Sequence, residues 1–212
     1  MMQRGTIVGS ILLGGVLAWV LPLWAGASPE TDVRMRGLAT APVTLIEYSD
    51  FTCGYCLKFF EDTWPHIQTR YVETGKVRFL YRDYPRGDRG SGLDAAKAAR
   101  CAGDQGQYWE MHDRLFSEGG RLDQAVYRRH ATALGLDQAA FERCVKDGRY
   151  TKKILHDRLE ANSWGFHGTP GFILMRTAVE PTEQEPAVAI PGAFPFEMFA
   201  EEIDRLLAST PR

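Results

Sequence analysis

The sequence predicts an α/β fold that opens strand–helix–strand, carries a helical insertion, and closes strand–strand–helix. A run of β-branched, aromatic and apolar residues, Val43-Thr44-Leu45-Ile46-Glu47-Tyr48, gives way at once to apolar residues spaced by three and four, the change of period that marks a strand feeding a helix. Residues from about 93 to 162 then keep a helical pattern, in segments parted by glycines. Two more strand-like runs and one amphipathic stretch follow. With 212 residues, 44% apolar and 25% charged, the chain has the composition of a globular protein and the length of one domain.

The N-terminus comes first. Arg4 precedes an uncharged run from Gly5 to Ala27 that ends in Ala25-Gly26-Ala27, so residues 1–27 are read as a signal peptide or an N-terminal membrane anchor. The run is long enough to span a bilayer, and its small-residue end suits cleavage. Either way Arg4 stays inside and the rest crosses, which places the protein in the periplasm or another extracytoplasmic space, tethered by residues 5–27 if uncleaved. That compartment permits disulfides. Without Arg4 the chain holds 24 basic against 27 acidic residues, and no basic patch argues for a nucleic-acid partner. Residues 28–42 have no sustained apolar period and read as a tether or a short edge element. The domain proper is expected over 43–210.

After the strand at 43–48, Cys56, Phe60, Trp64, Ile67 and Tyr71 form one face of a helix that Gly75 ends. A second strand is expected at Val77-Arg78-Phe79-Leu80-Tyr81, closed by Pro85 and a Gly/Asp-rich turn. In the helical block, Gly106, Gly119-Gly120 and Gly135 separate successive helices. Beyond Gly168-Thr169-Pro170 come strands at 172–175 and 188–190, joined by an acidic turn over Arg176 to Pro186. The last helix starts near Pro195 and buries Phe196, Phe199, Ile203, Leu206 and Leu207.

Cys53-Gly54-Tyr55-Cys56 sits at the handover from strand to helix. Unpaired backbone N–H groups and the positive end of the helix dipole favour a thiolate there, and the thiolate is the form that exchanges with disulfides. A spacing of three brings the second sulfur one turn along, so the pair can close on itself: Cys53 attacks, Cys56 resolves. A zinc or copper site would need two further ligands at close spacing, which Cys101 and Cys144 do not supply; an inert disulfide is the other alternative. From a different functional class, a metal-binding module using the same cysteines therefore stays open.

The run Ala41-Pro42-Val43 through Cys53-Gly54-Tyr55-Cys56 resembles the opening of the DsbA-like thioredoxin-fold oxidoreductases, and Gly168-Thr169-Pro170 is similar to their Thr/Val-cis-Pro loop. The block 93–162 is similar to their inserted helical domain, and the resemblance spans about residues 33 to 208. It implies a thioredoxin-like fold with a helical insertion and an activity as a protein thiol-disulfide oxidoreductase. It further implies no cofactor beyond the redox-active disulfide Cys53–Cys56, and no metal. Carried over by residue, Cys53 is the nucleophile, Cys56 the buried resolving cysteine, and Glu47 the buried acid that helps move the proton of Cys56; an acid inside an apolar strand otherwise has only a strand-end role reaching water. Pro170 is the cis-proline beside the pair, Thr169 offers its backbone to an extended substrate, and Tyr55 touches substrates. His167 is a candidate for tuning the thiolate, or an exposed loop histidine. Gly171 departs from the family, where a larger side chain is commoner.

Cys101 and Cys144 fall in different predicted helices and read as a structural disulfide, or else as two buried free thiols. The expected partners are unfolded or reduced exported proteins, plus a membrane redox protein that recycles the disulfide. Isomerases of this kind resemble catalytic domains joined by an N-terminal oligomerisation segment. Ser28 to Pro42 shows no heptad or amphipathic pattern, so a monomeric donor of disulfides is expected over an isomerase or reductase.

Overall fold

A computed structural model describes residues 32–177 and 187–209. The predicted leader at 1–27, the start of the tether and nearly all of the acidic turn lie outside the described residues. A five-stranded mixed sheet has the order β1-β3-β2-β4-β5. Its central strand, β2 (Val43–Ser49), is buried along its whole length, as the β-branched, aromatic and apolar run predicts, with Glu47 buried among them. β3 (Val77–Asp83) lies parallel to it, with Leu45 beside Phe79 and Glu47 beside Tyr81. β4 (Gly171–Arg176) runs antiparallel on the other side, setting Glu47 beside Phe172 and Tyr48 beside Gly171. β5 (Val188–Pro191) completes that side.

One expectation is corrected at the N-terminal end. From Asp32 onward the residues assigned to a tether belong to the packed fold, because Met35–Arg36 forms edge strand β1, antiparallel to β3. Two residues are too few to show a period, so this strand was legible only as the alternative short edge element.

Between β2 and β3, α1 (Gly54–Lys58) and α2 (Trp64–Ile67) join through a π turn at Phe59–Thr63, and a second π turn at Gln68–Val72 follows. The wider turns rotate the apolar face away from a regular 3.6-residue period. Phe59, three residues after buried Cys56, enters the core against Phe172 and Phe199, while half-buried Phe60 packs at its edge and stacks on Phe116 of the insert. Gly75 ends the segment in the left-handed region at φ 73°, where a side chain would be strained.

The insert consists of α3 (Ser91–Gly103), α4 (Tyr108–Ser117), α5 (Gln124–Ala133), α6 (Gln138–Asp147) and α7 (Thr151–Ser163), and α8 (Phe196–Ala208) closes the chain. Cys101 of α3 and Cys144 of α6 form a disulfide. The apolar core runs without a break from the sheet into α3–α6, and α7 covers the opposite face through Ala161 against Ile46, Tyr48 and Ile173.

Charges are also buried where the insert meets the sheet. Arg100 of α3 donates to Asp83 at the end of β3 and to Asp157 of α7, both at 2.6 Å, while Arg34, just before β1, donates to the same Asp157 oxygen at 2.6 Å. Two guanidinium groups and two carboxylates thus neutralise one another where little water enters, the condition that lets a buried charge persist. No helix among the described residues is long and apolar enough to cross a membrane.

Candidate active site

Cys53 occupies the N-cap of α1 with extended backbone, φ −88° and ψ 122°. The turn before it is fixed by Asp50, which is buried. Its Oδ1 accepts from the Thr52 N–H and hydroxyl, both at 2.7 Å, and its Oδ2 accepts from the Arg86 N–H at 2.9 Å. The Asp50 carbonyl accepts from the Cys53 N–H at 3.0 Å. One carboxylate therefore ties the turn before Cys53 to the loop after β3. Gly92 is part of that design, since a Cβ there would stand 2.7 Å from Asp50 Oδ1. Sequence reasoning passed over Asp50, although an Asp two residues before a Thr at a strand end is the signature of a side-chain-capped turn.

Only Cys53 meets solvent. It is 7% exposed and Cys56 0%, so a large partner can reach the first sulfur and not the second. The Thr169–Pro170 bond is cis, and the Thr169 carbonyl accepts from Cys53 Sγ at 3.3 Å. The resemblance assigned the Thr169 backbone to substrate; it already meets the thiol. Pro170 leads into β4 at Gly171, where a Cβ would fall 2.7 Å from the ring of Phe166, so packing explains the departure from the family pattern there.

Both cysteines are free thiols with opposite acidities. Cys53 is pulled down to about 5 by hydrogen bonding from the Cys56 thiol, then by the Thr169 side chain and the N–H groups of Cys56 and Tyr55, all outweighing its burial. Burial pushes Cys56 well up, and its hydrogen bond to Cys53 and the charges of Cys53 and Glu47 add to the rise. At neutral pH the pair therefore holds one proton, on Cys56. Glu47 shares the strand parity of Val43 and Leu45, the face that packs on Cys56 and Phe59. Burial, opposed by hydrogen bonding from the Ser49 side chain and reinforced by the nearby Cys53 charge, pushes its carboxyl up to about 8, so Glu47 is mostly a neutral acid at pH 7.

The predicted residues thus fall into two places. Cys53, Cys56, Glu47, Tyr55, His167, Thr169 and Pro170 gather around the start of α1, with Tyr55 69% exposed, while Cys101 and Cys144 lie apart in the insert. Cys53 and Thr169 border a cleft of about 430 Å³ whose other walls carry Tyr55, Arg86, Arg158 and His167. Arg86 and Arg158 carried no signal in the sequence, because single arginines in a turn and on a helix look like ordinary surface. Neither group of three close metal-ligating side chains among the described residues includes Cys53 or Cys56.

Residues 29–190 match the family model described as Thioredoxin. The structure is similar to alpha-DsbA1 of Wolbachia pipientis, with TM-score 0.72 and 28% identity over 82% of this chain and 90% of that one. It is also similar to a thioredoxin-like oxidoreductase of Silicibacter pomeroyi, with TM-score 0.68 and 25% identity over 83% and 92%. A curated relative, a Na(+)/H(+) antiporter NhaA 1 of Salinispora arenicola, is 34% identical over 161 residues, which is 76% of this chain and 24% of the antiporter. The chain thus spans about a quarter of the length of the curated relatives it matches. With its mixed sheet, its helical insert and a Cys-x-x-Cys pair facing a cis-proline, the chain belongs to the thioredoxin family and, within it, to the DsbA-like thiol-disulfide oxidoreductases.

Proposed function

We propose that this oxidoreductase donates the Cys53–Cys56 disulfide to reduced proteins outside the cytoplasm, acting as a monomer that a membrane redox protein reoxidises. In the first step a client thiolate attacks Cys53 Sγ, the client–Cys53 bond forms, the Cys53–Cys56 bond breaks, and Cys56 leaves with the electron pair. Cys56 then takes a proton, for which the neutral Glu47 carboxyl is the nearby donor. A second client thiolate attacks the client's own sulfur and Cys53 leaves as a thiolate. Two electrons pass from client to protein, and the membrane partner removes them. Tyr55 and the Thr169–Pro170 loop flank the sulfur where the client chain must lie.

The observation that carries the direction is the acidity of Cys53. A thiol near 5 is almost fully ionised at pH 7, about thirtyfold more than an ordinary cysteine at about 8.5, but the same drop lowers its intrinsic nucleophilicity by a similar factor. Attack therefore gains nothing. Departure of Cys53 from the mixed disulfide gains in full, because a low-pKa thiol is the better leaving group and its anion stabilises the reduced protein. The residues thus favour giving the disulfide away.

Oxidised protein mixed with a reduced unfolded client should form client disulfides faster than it rearranges a scrambled one, and light scattering should give a single-chain mass. Faster reshuffling by a stable dimer or trimer would assign it to isomerisation instead. The extracytoplasmic location rests on the leader-like residues 1–27 and is tested by fractionating cells that express the full chain.

A further inference from the structure

We propose that the cleft beside Cys53 selects client segments carrying an acidic residue within about two positions of the reactive cysteine. The inference rests on the disulfide-donor reading and adds a substrate class to it. In a chain whose formal charge is −2, this one hollow is walled by Arg86, Arg158 and His167, and none of the residues lining it is acidic. Among the described residues neither Arg86 nor Arg158 has a carboxylate within ion-pair distance, and, unlike the other unpaired surface arginines, both line the hollow beside Cys53. The backbone that carries each of these two arginines is fixed from behind. The Arg86 N–H is fixed by the buried Asp50 carboxylate, and Arg158 follows Asp157, whose burial in the Arg34–Arg100 cluster sets the rotation of α7. Planar guanidinium groups suit carboxylates in geometry as well as charge.

Size sets the register. A hollow of about 430 Å³ is about 7 to 8 Å across, the length of about two residues of extended chain. A client cysteine seated at Cys53 therefore brings its near neighbours, and not distant ones, against the two arginines. Exposed pairs of this kind are individually weak, so the two together should favour an acidic neighbour by about 3- to 10-fold in rate, and less at high salt.

The test uses oxidised full-length protein and three reduced dithiol peptides: one with Asp two residues from the attacking cysteine, one with Asn there, and one with the Asp moved eight residues away. Dividing each rate by the same rate for the Arg86→Gln/Arg158→Gln double variant removes each peptide's intrinsic thiol reactivity. The near-acid peptide should show a wild-type preference of about 3- to 10-fold that the double variant loses, and the far-acid peptide should behave like the neutral one. Arg86→Glu/Arg158→Glu should reverse the preference toward a peptide with Lys at the near position. Equal ratios in wild type and variant, or an equal gain from the distant acid, would overturn the proposal while leaving the donor reading standing. Loss of exchange with glutathione as large as the loss with the near-acid peptide would assign the cleft to small anionic thiols and overturn the client assignment. Failure of the wild type to oxidise any peptide would instead sink the donor reading.

Discussion

Thr169→Val keeps the shape of the side chain beside Cys53 and removes its hydroxyl, which makes it the cleanest probe of what holds the thiolate. A net hydrogen bond to a charged group is worth about 1.5–3 kcal/mol, and one pKa unit is about 1.4 kcal/mol. Cys53 is partly accessible, and the Cys56 thiol and two N–H groups remain in the variant, so the lower end applies and the midpoint should rise by about one unit. The assay is thiolate ultraviolet absorbance of the reduced protein against pH. Cys56, pushed well up, stays silent in the acid range, so the wild type should titrate once, near 5. The variant's reduction potential should fall by about 30 mV per unit, making it a weaker oxidant. The sign extends to stability: a thiol whose folded value lies below its ordinary 9.0 stabilises the reduced fold above that ordinary value and loses the contribution as pH falls through about 5. The reduced form should therefore lose its advantage over the oxidised form on acidification. A wild-type midpoint at or above about 8.5, or an unmoved midpoint in the variant, would refute this account.

Cys56→Ser should accumulate mixed disulfides with clients on non-reducing gels while Cys53→Ser accumulates none; the reverse pattern would exchange their roles. Replacing both Cys101 and Cys144 by Ser should remove about 4 kcal/mol, from closure of a loop with sequence separation 43, and lower Tm by about 8–16 °C with peptide exchange retained. Scanning calorimetry with a parallel exchange assay checks it, and an unchanged Tm would contradict it. Glu47 has a folded value of about 8 against an ordinary 4.5, so its contribution is full below 4.5 and lost as pH rises through about 8. Glu47→Gln should match wild type near pH 4, exceed it in unfolding free energy from urea titration at pH 8.5 by a few kcal/mol, and slow the release of Cys56 below about pH 8, where wild-type Glu47 holds its proton. A variant less stable than wild type at pH 8.5 would mean that the Ser49 hydrogen bond to the Glu47 charge outweighs its burial.

Legibility in the sequence tracked how local each signal is. The strand 43–48, the cysteine pair one residue beyond the next turn, and Gly168-Thr169-Pro170 are contiguous runs, and the structure brings all three together. The separation of the insert's helices was also readable, since Gly106, Gly119, Gly120 and Gly135 all take positive φ. Arg100 shows where such reading ends. It sits in an alanine-rich helix like any solvated arginine, yet it is 6% exposed because its acids arrive from positions 83 and 157. The cleft arginines were invisible for the same reason, as each comes from a different loop or helix. The π turns escaped because they leave no mark on an apolar pattern that already alternates threes and fours.

The Arg34–Asp157–Arg100–Asp83 cluster limits how this domain can be rearranged. Its members come from the approach to the edge strand, the end of β3 and two helices of the insert, so two of its three ion pairs cross the boundary between the insert and the rest of the fold. A chimera that exchanged residues 91–163 with those of a relative, leaving Arg34 and Asp83 behind, would strand charges in a dry seam, an error of about 3–5 kcal/mol for each broken pair. The insert is therefore not a detachable cassette. Grafts that succeed should be those in which the stretch ahead of the first strand and the end of β3 travel with it, so that modularity follows the wiring of the charges and not the boundaries of the helices.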